Sequence, residues 1–279
     1  MNILGALSVQ ARHVSAFWKL RRHFRNPWLI SGLRLGFIKL DYFPYRISKE
    51  SEQYVLLGRP RVGSSTDFFV LREVLAEETY RDVLPLLPAR PLRVVDIGAN
   101  LGATTIWLSR KARVSEAFCF EPEPDSFRLL NFNLARNGCT GARAIPKAVG
   151  GRSRQARMML NEATPGGASI YAAAASGQES AGNAVEVIAL GDWLRETPGP
   201  FDLLKMDCEG AEWEIVRHTS SRDLGRFGAV MAEIHGDPEG HQPVAGFAEL
   251  IESRGFRTVR WDGKCQGLYF GVRTREGNP

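Results

Sequence analysis

No stretch of this 279-residue chain approaches the ~20 consecutive apolar residues that a membrane-spanning helix requires. Cysteine is scarce. Cys119, Cys139, Cys208 and Cys265 stand far apart with no C-x-x-C pair, which excludes a zinc ribbon or a disulfide framework and fits the reduced thiols of a cytosol. Met1 to Gln10 lack an apolar run followed by a small-residue cleavage site, so a secretory signal is not expected and a cytoplasmic location is. No internal repeat is present. The G-x-G-x-x-G spacing of a dinucleotide site is also missing, which disfavours a nicotinamide oxidoreductase. What remains, 44% hydrophobic and 24% charged residues, is ordinary for a globular enzyme with one α/β core and an additional element.

Charge is distributed unevenly. Residues 1–50 carry nine lysines and arginines against Asp41 and Glu50, a net +7; since the whole chain is +5, the remainder is −2. A basic leader on a nearly neutral body attracts phosphate, whether of lipid, nucleic acid or a nucleotide-linked compound, or is simply a solvated surface. Phe17, Trp18, Phe24, Trp28 and Phe37, interleaved with these charges, leave room for peripheral membrane contact.

To about Pro91 the chain reads as helical and irregular, with Pro27, Pro44 and Pro60 as breakers. Asp67 stands as a cap before a helix over Phe68–Leu75, and a second short helical stretch covers Glu77–Leu84. From Leu92 strands alternate with helices, the pattern of parallel βαβ units. Strands are expected at Arg93–Ile97, Ala117–Glu121, Arg143–Pro146, Asp202–Asp207 and Ala229–Ile234, with a terminal antiparallel hairpin from Phe256–Trp261 and Gly267–Val272. Helices are expected over Thr104–Ala112, Asp125–Asn137, Ala211–His218 and Ala245–Arg254, and the small-residue stretch Ala163–Ala184 reads as a mobile loop.

Three segments carry chemistry. In Val94-Val95-Asp96-Ile97-Gly98-Ala99-Asn100-Leu101-Gly102 an apolar strand ends in an acid and a glycine turn opens a helix; Gly98 and Gly102 let backbone approach a ligand closely. A carboxylate there repels pyrophosphate but suits a cofactor bearing ammonium and sulfonium groups. In Phe118-Cys119-Phe120-Glu121-Pro122-Glu123-Pro124, Glu121 lies 19 residues beyond Gly102, near the ~20-residue offset at which an acid meets a ribose diol. Glu123 competes for that role or starts the next helix. In Leu203-Leu204-Lys205-Met206-Asp207-Cys208-Glu209-Gly210-Ala211-Glu212 a second strand ends in an acid, so that if the two strands are neighbours Asp96 and Asp207 flank one crevice. Glu209 and Glu212 reach the same mouth or favour the helix start.

In this order the three motifs resemble the FkbM-type family of class I methyltransferases, over about Ser65 to Val272. The resemblance implies a Rossmann-like α/β fold: a seven-stranded, mostly parallel sheet with a reversed last strand and helices on both faces, here behind an N-terminal helical extension. It implies S-adenosylmethionine as cofactor, with Asp96, Gly98 and Asn100 lining its methionine side and Glu121 on the ribose; Gly102 and Asp207, from the turns above, are the further cofactor-binding candidates. It implies O-methylation of a sugar, glycolipid or natural-product hydroxyl. Three parts follow: residues 1–64 as basic extension, 65–91 as helical cover of the cofactor, and 92–279 as catalytic domain. No N-P-P-Y-like or D-P-P-Y-like tetrapeptide follows the fourth strand, which weakens an amino-group acceptor, and no specific nucleic-acid partner is expected.

An aliphatic hydroxyl is a weak nucleophile and needs help losing its proton. In Met231-Ala232-Glu233-Ile234-His235-Gly236-Asp237, alternation puts Glu233 and His235 on one side. His235, with the better unperturbed pKa, is the expected base, oriented by Glu233 or Asp207. No resident metal is expected. The competing readings are Mg²⁺ held by Asp207 and Glu233, with Asp237 as an optional third ligand, and a nucleic-acid- or lipid-binding protein with a vestigial cofactor fold.

Overall fold

The computed structural model describes residues 22–34, 37–60, 66–160, 168–170 and 182–274. Most of the stretch read as a mobile loop, and the first 21 residues of the basic leader, lie outside these. Helix α1 (Pro27–Arg34) leads into a hairpin of β1 (Phe43–Lys49) and β2 (Glu52–Gly58). Helix α2 (Thr66–Leu71) continues through a π-turn at Arg72–Ala76, and a 3₁₀ turn follows at Arg81–Leu86. The core then runs β3 (Leu92–Ile97), α3 (Ala103–Lys111), β4 (Val114–Phe120), α4 (Pro124–Arg136) and β5 (Ala142–Ile145). After a small sheet of β6 (Ala148–Gly150), β7 (Arg154–Leu160), β8 (Ala168–Ser169) and β9 (Asn183–Ala189) come α5 (Leu190–Glu196), β10 (Phe201–Met206) and α6 (Ala211–His218). The chain closes with α7 (Ser221–Leu224), β11 (Phe227–Ile234), α8 (Phe247–Glu252), β12 (Phe256–Trp261) and β13 (Gly267–Arg273).

The seven-stranded sheet has the order β12-β13-β11-β10-β3-β4-β5. Strands β11, β10, β3, β4 and β5 are mutually parallel, and β13 runs antiparallel to both its neighbours. Strand order reverses between β3 and β10, the position where open α/β sheets place their ligands. Strand β10, F-D-L-L-K-M, is buried along its whole length because both faces are covered. Val94, Cys119, Leu203 and Met231 pack under α3, α4 and the N-terminal elements, while Val95, Phe120, Leu204 and Ala232 pack under α5, α6 and α8.

The extension is not purely helical, since β1 and β2 form an antiparallel hairpin. Phe43, Tyr45 and Ile47 are buried in alternation with exposed Pro44 and Arg46, the period of a half-buried strand. Asn133 of α4 anchors this hairpin to the core: its Oδ1 accepts the Leu57 N–H at 2.7 Å, and its Nδ2 donates to the Leu57 and Leu101 carbonyls at 2.9 Å each.

Candidate functional site

The turns after β3 and β10 lie against each other. Gly98 adopts φ +73°, and a Cβ there would sit 1.8 Å from the Asp207 carbonyl oxygen, so glycine is required by the neighbouring turn rather than by a ligand. Gly102 likewise admits Leu130 of α4, not open space. The Asp207 N–H donates to the Ile97 carbonyl at 3.1 Å, and the Gly98 and Ala99 amides donate to Phe120 at the end of β4. Three strand ends are thereby tied into one platform.

Beneath it lies an ion pair the sequence reading gave no role. Lys205 is 3% exposed and Asp96 1%. The Lys205 ammonium donates to the Gly98 carbonyl at 2.7 Å and stands 3.2 Å from Asp96 Oδ1 and 3.6 Å from Asp207 Oδ2. Asp96 Oδ2 accepts the Thr105 hydroxyl at 2.7 Å. Asp96 is therefore a buried group paired with Lys205 that positions the turn, not a carboxylate open to the cleft. The charge of Asp207 stays partly solvated.

Over the platform opens a cleft, continuous with solvent. Gly98, Asn100, Lys205, Asp207 and Glu233 form its floor, and Glu73 and Tyr80 its roof. Of the residues expected from sequence, Gly98, Asn100, Asp207 and Glu233 line it; Asp96, Gly102, Glu121 and His235 do not. Glu73 and Tyr80 were missed. Arg59 holds the roof in place. Its backbone N–H and guanidinium donate to Asp67 at 2.6–3.0 Å, and the guanidinium also reaches Glu123 at 3.1 Å and Ser126 at 3.0 Å. The side chain of Asp67, expected as a helix cap, is thus engaged by Arg59. Glu123 accepts the Asp125 and Ser126 amides at the start of α4, the helix-start alternative, and is buried.

Glu121 sits at the end of β4, with Oε2 accepting the Asn100 N–H and Oε1 the Glu123 N–H, each at 2.8 Å. Burial pushes its carboxyl up to about 7, against the pull of those two amides. Each oxygen retains a lone pair.

His235 departs from its expected surroundings. Its Nδ1 faces Glu212 Oε1 at 3.2 Å and its Nε2 lies 3.6 Å from Glu209, whereas Glu233 or Asp207 was expected to orient it. Burial alone would lower its pKa, but the Glu212 hydrogen bond and the charges of Glu212, Asp207 and Glu209 outweigh this and push it up to about 10. It is an imidazolium near neutrality. Glu212 in turn accepts the Cys208 and Gly210 amides at 2.7 and 2.9 Å, stapling the turn after β10 instead of reaching the cleft.

Glu233 lines the cleft with its carboxyl in reach of a guest. Burial, and next the charge of Asp207, push its carboxyl up to about 8 against His235 and Lys205. Glu73 is also raised, chiefly by burial. Asp237, offered above as an optional third metal ligand, is engaged by Arg217 at 2.9 Å and by the Glu239 and Gln242 amides, so it does not join Asp207 and Glu233.

Residues 96–258 match the family described as the methyltransferase FkbM domain. Methyltransferase 1 of Beauveria bassiana is 28% identical over 205 residues, covering 67% of this chain and 80% of the relative. Methyltransferase sdnD of Sordaria araneosa is 28% identical over 220 residues, covering 69% and 83%. Among solved structures, the FkbM methyltransferase of Methylobacillus flagellatus KT superposes with a TM-score of 0.44 at 14% identity, over 64% of this chain and 43% of that one. Magnesium protoporphyrin IX methyltransferase of Synechocystis PCC 6803, solved with S-adenosylmethionine, gives 0.45 at 10% identity, over 77% and 86%. With more than half of its length matched by the family, this chain belongs to the FkbM methyltransferases and is a transferase that uses S-adenosylmethionine.

Proposed function

We propose that the chain is an O-methyltransferase acting on a hydroxyl of a sugar, glycolipid or natural-product acceptor, with Glu233 taking the acceptor proton. The observation that carries this is the position of Glu233: a carboxyl pushed up to about 8, lining the cleft beside Asp207. A base is most effective when its pKa lies near the working pH. His235, paired with Glu212 and pushed up to about 10, lies further from the working pH than Glu233 and is the poorer base; it fixes the turn after β10.

The residues present suit the cofactor. Asn100 Oδ1 is buried without a hydrogen-bond partner, a cost of roughly 1–3 kcal/mol that a donor in the cleft would relieve. Asp207, Glu233 and Glu73 against the single cation Lys205 favour a positively charged guest. Asn100 and Asp207 would hold its amino-acid end and Glu121 its ribose. Bound S-adenosylmethionine supplies a methyl group already activated on a sulfonium. The chain's own work is to align the acceptor hydroxyl, remove its proton and exclude water. Glu73 and Asp207 are acceptors suited to neighbouring hydroxyls, and the roof carrying Glu73 and Tyr80 closes over them, the part given above to residues 65–91.

Incubation with methyl-labelled cofactor and a panel of glycosides, glycolipids and polyketide alcohols tests the reading. Label should appear as a methyl ether, and Glu233→Gln should suppress it while cofactor affinity persists. Label found only on amines, or full turnover by Glu233→Gln, would reject it.

A further inference from the structure

Seven large apolar side chains stand exposed among the described residues, and five of them fall between positions 28 and 42. Trp28 is 74% exposed, Leu29 50%, Phe37 83% and Leu40 51%. Scattered exposed apolar residues need no explanation, but a run of them does. Helix α1 divides cleanly: Pro27, Ile30 and Leu33 are buried against the body, and Trp28 and Leu29 face outward. The chain after it is folded back, because the Phe37 and Ile38 amides donate to the Gly32 carbonyl at 2.9 and 3.2 Å. Phe37 is thereby held at the end of α1.

The charges in and before this segment choose the occupant. Arg22, Arg25, Lys39 and Arg46 are exposed, and the Arg25 N–H donates to the Arg46 carbonyl at 2.8 Å, which brings two of them together at the start of α1. Over residues 1–50 basic groups outnumber acids nine to two, while the catalytic body is slightly negative. Exposed indole, phenyl and leucine side chains flanked by arginine and lysine match the boundary between lipid headgroups and acyl chains, where aromatic rings anchor and basic groups meet anionic headgroups. A second copy of the chain would have to meet these positions with the acids of a body whose net charge is only −2. Among the described residues no helix is long and apolar enough to cross a membrane, so contact would be with one surface.

We infer that α1 and Phe37–Leu40 form a docking face for an anionic lipid surface, with Trp28, Leu29, Phe37 and Leu40 entering the interface and Arg22, Arg25, Lys39 and Arg46 above it. This does not depend on which hydroxyl is methylated. It would hold the cleft near acceptors that reside in a membrane.

The test is co-sedimentation of the full chain with phosphatidylcholine vesicles, with and without phosphatidylserine. Binding is expected to the phosphatidylserine vesicles, weakening as salt is raised. Lys39→Ala and Arg22→Ala should each weaken it about five-fold. The double variant Leu29→Ser/Phe37→Ser should abolish it, with a thermal midpoint and S-adenosylmethionine affinity equal to the parent's. The inference is overturned by equal recovery on neutral and anionic vesicles, or by undiminished binding of the double variant. It is equally overturned if that variant melts well below the parent, which would show both side chains packed within the fold. Loss of a concentration-dependent dimer in the variant, with no vesicle binding by the parent, would assign the face to a second copy of the chain instead.

Discussion

Replacing Lys205 by methionine removes the cation that holds the site together while keeping most of its volume. Its ammonium lies 3.2 Å from Asp96 Oδ1, and both groups are almost wholly buried. At an effective dielectric of about 20, unit charges at that separation attract by about 5 kcal/mol, and breaking a buried pair by deleting one partner costs roughly 3–5 kcal/mol. The lost bond from Lys205 to the Gly98 carbonyl adds to this. For a domain of this size the thermal midpoint should fall by roughly 6–20 °C. Asp96→Asn alone leaves the buried lysine only the Gly98 carbonyl and the more distant Asp207 and should cost a similar amount. The two together leave a near-neutral pocket, and the double variant should be far less damaged than the sum of its parts, with a coupling energy of about 2 kcal/mol or more. Urea unfolding of the parent, both single variants and the double variant measures this cycle. Additivity within about 0.5 kcal/mol would refute the claim that Lys205 and Asp96 act as one unit beneath the platform.

Three other expectations concern single residues. Glu233→Gln should lower turnover by roughly 10²–10⁴-fold. The same variant should raise the thermal midpoint at pH 8, because a carboxyl held above its unfolded pKa binds extra protons when folded and costs stability as pH rises toward about 8; thermal scans at pH 5 and pH 8 check the sign. His235, raised to about 10 in the folded chain, contributes stability that is complete below pH ~6.5 and lost as pH climbs through about 10. His235→Gln should flatten that fall, and an unchanged pH profile would show that Glu212 does not hold a charged imidazole. Gly98→Ala drives a Cβ to within 1.8 Å of the Asp207 carbonyl and should lose cofactor binding and stability together in calorimetry and melting; wild-type behaviour would mean that the two turns are not in contact.

The sheet was legible because its strands are apolar runs ending in acids or glycine. All seven expected strands and the reversed last one are present, with ends shifted by up to three residues, as at β4. The β1–β2 hairpin was not foreseen. Its buried Phe43, Tyr45 and Ile47 do alternate, but Pro44 interrupts them and the turn uses Glu50 at φ +53° in place of the glycine or asparagine that announces a hairpin. Asp96, Asp207 and Glu233 were found as acids at strand ends, but sequence does not reveal which of them is already neutralised. The one signal for Lys205 was a lysine inside an otherwise apolar strand, and burying it requires a partner. The pairing of His235 with Glu212 joins residues 23 apart on different elements, so the imidazole's unperturbed pKa misled. Mutating Asp96, which the motif recommends as a test of cofactor contact, would by the structure unsettle the fold first.

The most direct test of the central claim, that the ends of β3, β4 and β10 hold S-adenosylmethionine beneath the Glu73–Tyr80 roof, is calorimetric titration of the cofactor into the full chain, Asn100→Ala and Glu121→Gln. The parent should bind saturably, and each variant about tenfold or more weaker, since hydrogen bonds to charged groups are worth roughly 1.5–3 kcal/mol; Asn100→Ala removes an unpartnered oxygen and separates this loss from stability, whereas Glu121→Gln also turns an amide donor toward one of two backbone N–H groups and should melt lower. Equal affinity in all three would contradict the account.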